Sequence, residues 1–208
     1  LATVLVLGLV AVPGCATEEV AVEEEVAEET TPSEPTDDMR AAMIEAANEY
    51  FKNEPTPTIA GADLLKVVND KDLDYQIVDI RTAEHYALGH IEGAINIPFK
   101  TTADDESLAK LDDTKKIVVV CYTGHTASMV NMVWNMLGYD AVTLKFGMSG
   151  WVADKAIVGV DIPGKAGMGY PTVSTPTEAA GPFEAPELEG EYADVAEAIK
   201  GQTRAYFA

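Results

Sequence analysis

A cysteine follows a short run of β-branched residues in the middle of the chain. Lys116 to Val120 read KIVVV, Cys121 comes next, and YTGHTAS follows, with Gly124 three positions after the cysteine. A β-branched apolar run predicts a strand covered on both faces, and the glycine permits a tight turn into the helical pattern that follows. Cys121 is therefore expected where a central strand ends and a helix is about to begin.

This position favours a reactive thiol. Open parallel sheets place their sites at the carboxyl ends of their strands. The amides of residues 122–126 can converge there, at the positive end of the helix, and such an environment stabilises the nucleophilic thiolate. The alternative is a cysteine that only packs in the core, which is common for this residue type. Spacing alone favours the reactive interpretation and leaves the packing interpretation open.

Short strands and helices alternate around this segment. The predicted strands are Gln76–Ile80, Ala94–Ile97, Lys116–Val120 and Asp140–Leu144. The predicted helices are Ala62–Val68, Ala83–Leu88, Ser107–Leu111 and Thr126–Leu137. The alternation predicts an α/β domain with a parallel sheet over 58–153. Residues 154–208 are expected to form an irregular arm rich in Pro and Gly, ending in a helix from Tyr192 to Phe207. The segment AEAIKGQTRAYF in that helix weakly resembles AAMIEAANEYF ahead of the domain, which leaves open a truncated second unit.

The net charge of −21 is concentrated ahead of the α/β domain. Thirteen acidic residues lie between Cys15 and Glu54 against Arg40 and Lys52, so this stretch contributes −11. An acidic chain repels phosphate backbones, which argues against a nucleic-acid partner. Few aromatics and many Glu, Thr and Pro residues predict a flexible acidic linker over 15–36, followed by a helix over 37–54.

The first residues, LATVLVLGLVAVPG, are almost wholly apolar. A membrane-spanning helix needs about 20 residues, so this run fits the apolar region of an export signal over 1–14 instead. It ends in VPGC, which resembles a bacterial lipobox and implies a lipid on Cys15. We expect an exported protein of the cell envelope, anchored to a membrane on the periplasmic or extracellular side. A plain cleaved signal or an uncleaved anchor is the alternative. The separate contexts of Cys15 and Cys121 disfavour a disulfide between them.

Three segments resemble the rhodanese-homology family in their order and spacing. They are VDIRTAEHYALGHIEGAINIP over 78–98, VVVCYTGHTAS over 118–128 and LKFGMSGW over 144–151. The resemblance implies a five-stranded parallel sheet flanked by helices on both faces and a thiosulfate sulfurtransferase-like activity. In that mechanism a thiolate takes sulfur from a small donor, forms a persulfide, and passes the sulfur to a thiol or to cyanide. It implies no cofactor and no metal.

Carried onto this sequence, the resemblance makes Cys121 the catalytic nucleophile. The loop that binds substrate and persulfide would be Tyr122, Thr123, Gly124, His125 and Thr126. Asp79 and Arg81 match an Asp-x-Arg after the second strand and are expected to support the loop and the fold.

Four other matched residues are expected to be structural. His90 is assigned to the fold rather than to the chemistry, although a direct catalytic role is the alternative. Glu84 and His85 are expected on the surface of a helix, and Trp151 is expected to pack.

The loop lacks the cation that many active family members have five residues after the cysteine. Thr126 stands there, and a cation at that position would hold an anionic donor such as thiosulfate, so its absence argues against efficient thiosulfate turnover. His125 is the remaining titratable group of the loop. It either assists the thiolate or the donor, or is an exposed imidazole without a role. Ala127, six residues after the cysteine, disfavours the Cys-x5-Arg loop of related phosphatases and arsenate reductases.

Two functions from different classes stay open. The first is a sulfurtransferase or persulfide carrier on the outer face of a membrane. The second is a membrane-tethered module that binds or senses sulfur, or binds a partner, with little turnover. The presence of Cys121 favours the first, and the missing loop cation favours the second. A thiol redox protein is disfavoured because Cys15 is the only other cysteine.

Overall fold

A parallel sheet lies at the centre of the computed structural model, which describes residues 35–52, 57–160 and 190–208 and the single residues 174, 181 and 188. The predicted export signal, the lipobox cysteine Cys15 and most of the acidic linker lie outside the described residues. Among the described residues we find no helix with both the length and the apolar character that crossing a bilayer requires.

Five strands form the sheet, in the order β1-β5-β4-β2-β3, and all neighbouring pairs are parallel. The strands are β1 Thr58–Ile59, β2 Tyr75–Asp79, β3 Ile95–Asn96, β4 Lys116–Val120 and β5 Ala141–Leu144. The described helices are α1 Pro35–Lys52, α2 Gly61–Asp70, α3 Ala83–Leu88, α4 Asp105–Leu108, α5 His125–Met136, α6 Gly147–Trp151, α7 Lys155–Val158 and α8 Val195–Phe207. A 3₁₀ turn lies at Phe99–Thr101.

The KIVVV run forms the middle strand, β4, as predicted. Ile117 and Val119 contribute to an apolar cluster with side chains of α1, α5 and α8. Val118 and Val120 contribute to a second cluster, on the other face, with side chains of α2, α3, α6 and α7. A strand buried on both faces must be apolar at every position, which explains its lack of alternation. The α/β fold with a five-stranded parallel sheet and helices on both faces is confirmed.

The predicted bounds of Lys116–Val120 and Ala83–Leu88 match the observed ones, and those of the other predicted elements differ by at most three residues at either end. The helix after the cysteine begins at His125 and not at Thr126, because Gly124 in a left-handed conformation ends the turn one residue earlier. The terminal helix begins at Val195 and not at Tyr192, because the Asp194 carboxylate accepts the Glu197 N–H at 2.8 Å and caps the first turn.

The helices outside the predicted α/β segment pack against it. Phe207 of α8 contacts Phe99, with ring centroids 4.2 Å apart. The Lys200 ammonium donates to the Asp105 carboxylate at 2.7 Å, which holds the pKa of Asp105 below its ordinary value. The predicted irregular arm also contains α7, which packs against α3 and α6. The chain just beyond 153 therefore takes part in the structure around the site.

Candidate functional site

Cys121 lies at the carboxyl end of β4, immediately before α5. It is a free thiol with only 1% of its surface exposed. The Gly124 N–H donates to its Sγ at 3.0 Å. A backbone donor held at this distance stabilises negative charge on Sγ when the thiol is deprotonated.

Gly124 gives the loop its shape. Its φ of +99° is a left-handed conformation that glycine adopts without strain, and it directly precedes the first residue of α5. Its carbonyl accepts both the N–H of Ser128, at 3.0 Å, and the Ser128 hydroxyl, at 2.9 Å. The turn that directs the Gly124 N–H at sulfur is therefore fixed to the first turn of α5.

A second glycine holds the loop from the neighbouring strand end. The carbonyl of Cys121 accepts the Met148 N–H at 2.8 Å, and the carbonyl of Tyr122 accepts the Ser149 N–H at 2.9 Å. Gly147 directly precedes these two donor residues with φ +54°, and a Cβ there would overlap the Cys121 carbonyl oxygen and lie 2.9 Å from the Thr123 nitrogen. Close approach of the two backbones requires glycine at this position.

Gly147→Ala is expected to disturb the cysteine more than the fold. The left-handed backbone costs about 1–2 kcal/mol with a Cβ, and the overlap displaces the loop that positions Sγ. Because misplacement by about 1 Å can cost roughly 100-fold in rate, we expect a loss of that order in the reaction of Cys121 with a sulfur donor. Gly138→Ala is the matched control, since Gly138 has φ +95° and no atom within 4 Å of an added Cβ. Equal rate losses in both variants would contradict this account.

The Tyr122 side chain joins the loop to α3. Its hydroxyl lies 2.9 Å from Nδ1 of His85 and accepts the Thr82 N–H at 3.3 Å. The two rings also meet edge to face, with centroids 5.4 Å apart. His85 lies on the helix α3 as expected, but its imidazole is half-buried against the tyrosine and not fully exposed. Sequence reasoning missed this contact because 37 residues separate the two side chains and no local pattern signals it.

The other loop side chains point to solvent or support the turn. His125 is exposed, and its Nδ1 lies 3.1 Å from the Thr123 hydroxyl. Thr126 is half-buried in the first turn of α5. A role for His125 in assisting the thiolate or the donor stays a prediction. If the imidazole assists, His125→Ala lowers the rate with thiosulfate at neutral pH; an unchanged rate would show that it is an exposed imidazole without a role.

Asp79 and Arg81 form a fully buried ion pair. Nε of Arg81 donates to both carboxylate oxygens at 3.0 Å. The remaining guanidinium donors reach the carbonyls of Gly89, at 2.7 Å, and Ile157. These contacts join the end of β2 to the loop after α3 and to α7. These partners of the Arg81 guanidinium lie outside the cysteine loop. The expected support of that loop would therefore pass through β2, which pairs with β4.

The other residues of the family match have structural or surface positions. The His90 ring stacks on Tyr86 with centroids 3.8 Å apart, and its Nδ1 lies 2.9 Å from the Tyr86 carbonyl. Glu84 is exposed, and Trp151 packs against the apolar cluster beneath α6. In the part of the chain that the structure describes, no group of three or more His, Cys, Asp or Glu side chains is arranged to hold a metal ion.

Comparison with known proteins agrees with this architecture. The family model described as a rhodanese-like domain matches residues 61–154. Thiosulfate sulfurtransferase GlpE of Pseudomonas paraeruginosa is 36% identical over 77 residues, which are 36% of this chain and 68% of that protein. Thiosulfate:glutathione sulfurtransferase of Saccharomyces cerevisiae is 26% identical over 103 residues, which are 44% of this chain and 74% of that protein.

Among solved structures, a rhodanese-like domain protein from Staphylococcus aureus is 30% identical with a TM-score of 0.43, over 47% of this chain and 92% of that one. The fold and the site define the class of protein: a parallel α/β domain with a buried cysteine at the end of its central strand. The chain belongs to the rhodanese-like family.

Proposed function

We propose that the protein is a sulfurtransferase that moves sulfane sulfur from a small donor to a thiol or to cyanide through a persulfide on Cys121. The observation that carries this proposal is the Gly124 N–H at 3.0 Å from Sγ of a cysteine at the end of the central strand. The similarity to relatives named thiosulfate sulfurtransferase supports it, as does the rhodanese-like family model, whose match to residues 61–154 includes Cys121.

The reaction proceeds in two balanced steps. With thiosulfate as donor, the Cys121 thiolate attacks the outer sulfur, a new S–S bond forms, and the S–S bond of thiosulfate breaks. Sulfite leaves with the electron pair. In the second step an acceptor thiolate or cyanide attacks the outer persulfide sulfur, and the Cys121 thiolate is the leaving group. The products are an acceptor persulfide or thiocyanate, and the enzyme returns to its starting state without an external oxidant or reductant.

The surroundings of Cys121 determine what can react there. The Gly124 amide compensates negative charge on Sγ of the free thiolate, which is the attacking group in the first step and the leaving group in the second. The loop is recessed, because Cys121 is almost fully buried. A recessed thiol favours a small donor and limits water at the persulfide.

Mass spectrometry tests the proposal directly. The purified protein is incubated separately with thiosulfate, polysulfide and mercaptopyruvate, and the mass of the peptide containing Cys121 is measured. We expect at least one donor to add about 32 Da, one sulfur atom, to that peptide, and a thiol acceptor to remove it. If none of the three donors adds sulfur to Cys121, the sulfurtransferase proposal is wrong.

The second candidate is a module that binds or senses sulfur with little turnover. The absence of Arg and Lys from residues 121–128 favours it, because a loop without a cation holds an anionic donor poorly. Steady-state assays separate the two. A sulfurtransferase releases sulfite or thiocyanate in many equivalents per protein, whereas a sensor stops near one.

We further propose that the protein is an exported lipoprotein of the cell envelope, anchored through Cys15. The support is the apolar run over 1–14 and the lipobox-like VPGC that ends in this cysteine. Expressed with its export signal in a bacterium, the protein is expected in the membrane fraction with an acyl-modified Cys15, and Cys15→Ser is expected to leave that fraction. An unmodified Cys15 in membrane-bound protein would contradict the proposal.

A further inference from the structure

Two residues, Tyr122 and Thr123, separate the reactive cysteine from the amide that donates to its sulfur. The Gly124 N–H stays 3.0 Å from Sγ of Cys121 only while the backbone of these two residues keeps its path. On one side, the Tyr122 carbonyl accepts the Ser149 N–H at 2.9 Å. The contacts of the Tyr122 side chain therefore also bear on the position of the sulfur and its donor.

The Tyr122 side chain crosses from the cysteine loop to the first turn of α3. Its hydroxyl oxygen accepts the Thr82 N–H at 3.3 Å and lies 2.9 Å from Nδ1 of His85. Because the Thr82 amide can only donate, the hydroxyl proton is directed at Nδ1 of a neutral imidazole. This arrangement assigns the ring proton of His85 to Nε2 and makes Nδ1 the acceptor for the Tyr122 hydroxyl.

The two rings are confined between α3 and α7. The Thr82 hydroxyl lies 3.1 Å from Nδ1 of His85 on the side of α3. On the side of α7, a Cβ added to Gly159 would lie 2.7 Å from Cγ of His85 and 2.9 Å from Cε1 of Tyr122. The backbone at the end of α7 thus already touches both rings, which leaves the tyrosine little room to move away from Nδ1.

The start of α3 does not depend on the imidazole. Thr82 caps the helix through the backbone N–H of residue 85, which its hydroxyl accepts at 3.4 Å. Any side chain except proline at position 85 keeps this N–H. The contact between the imidazole and Tyr122 can therefore be removed while the helix cap is retained.

We propose that His85 is a positioning residue for Cys121: its Nδ1 accepts the Tyr122 hydroxyl and, through Tyr122, keeps the loop amide in place at Sγ. The inference rests on the proposed sulfurtransferase function and adds to it a residue outside the cysteine loop. Because His85 acts through Tyr122 and not on the sulfur donor, it should affect the rate of sulfur loading at saturating donor. The donor concentration that gives half of that rate should not change.

The test compares variants of the full chain. His85→Leu keeps an apolar side chain beside Tyr122 and removes the acceptor. His85→Asn returns an acceptor, since its amide oxygen can occupy the place of Nδ1. Tyr122→Phe removes only the hydroxyl, and it is also combined with His85→Leu. His90→Leu is the matched control, because His90 is an exposed histidine whose Nδ1 lies 2.9 Å from the Tyr86 carbonyl.

Sulfur loading of Cys121 is followed by mass at several donor concentrations, in samples whose circular dichroism spectra match. We expect His85→Leu to lower the saturating rate about tenfold, the upper range for one lost hydrogen bond. Tyr122→Phe should show the same loss, and the double variant should be no slower, because both substitutions remove the same contact. His85→Asn and His90→Leu should stay close to the starting protein.

An unchanged saturating rate in His85→Leu would overturn the inference, and so would a double variant whose loss is the product of the two single losses. Equal losses in His85→Asn and His85→Leu would overturn it as well, since the acceptor would then have no effect. If no donor loads the starting protein, the sulfurtransferase proposal fails by itself. Alkylation of Cys121 by iodoacetamide in the same variants then decides the role of His85. A Cys121 that iodoacetamide does not modify either contradicts both proposals, since each requires an accessible thiol.

Discussion

Replacing Cys121 with serine is expected to eliminate sulfur loading and to lower sulfur transfer at least about 10³-fold, because the covalent route through the persulfide is lost. No 32 Da adduct should form on the peptide of residue 121, whichever donor is used. Background transfer between donor and acceptor in solution sets the floor of the assay. Full activity of Cys121→Ser would exclude a persulfide on this residue.

The fold should tolerate this substitution. Serine is smaller than cysteine, and its hydroxyl can accept the Gly124 N–H that now donates to Sγ. We therefore expect the free energy of unfolding in urea to change by no more than about 1–2 kcal/mol, within the range of one altered buried hydrogen bond. Unfolding alone would also eliminate activity. Sulfur loading is therefore compared only between samples of variant and starting protein whose circular dichroism spectra match.

Cys15→Ser is the matched control for the second cysteine. It leaves the site described above unchanged, so sulfur loading of Cys121 should equal that of the starting protein. Loss of loading in Cys15→Ser would instead implicate a second thiol in the reaction, the redox mechanism that the sequence disfavours.

The central strand and its cysteine could be predicted because their signals are local. The KIVVV run predicts a strand buried on both faces, and Gly124, three residues after Cys121, predicts the turn into α5. The order of strands and helices likewise follows from the alternation of short apolar segments along the chain.

The partners of the cysteine loop could not be predicted from local signals. Tyr122 meets His85 only because α3 packs beside the end of β4, and the Cys121 carbonyl meets the Met148 N–H only because β5 pairs with β4 and leads into α6 beside the loop. Both are consequences of tertiary pairing, which the sequence specifies through the fit of whole faces rather than through any short motif.

Arg81→Met is expected to destabilise the protein by about 3–5 kcal/mol, the cost of leaving one charge of a buried pair without its partner. Asp79 has no exposed surface and would remain inside with its charge uncompensated. The carbonyls of Gly89 and Ile157 would also lose their guanidinium donors. Urea unfolding measures the change, and Lys116→Met, which breaks the exposed pair with Asp140, should cost no more than about 1 kcal/mol.

The double variant Asp79→Leu with Arg81→Met separates charge burial from packing. Replacing both partners by apolar side chains removes the unpaired charge, so stability should recover relative to Arg81→Met alone. In this double variant the backbone N–H of residue 81 also loses the Asp79 carboxylate that accepts it, which limits the recovery of stability. A double variant as unstable as Arg81→Met would show that the hydrogen bonds to Gly89 and Ile157, rather than the buried charge, dominate.

Sulfur loading of folded Arg81→Met protein then decides whether the Asp79–Arg81 pair does more than stabilise the fold. The guanidinium donors described here go to Asp79, Gly89 and Ile157, and none goes to the cysteine loop. At a temperature where Arg81→Met is fully folded, we therefore expect Cys121 to accept sulfur within a few-fold of the starting rate. A folded Arg81→Met protein that no longer loads sulfur would give the guanidinium a positioning role for Cys121, because β2 pairs with β4 up to the residue before Cys121 and can transmit a displacement to it.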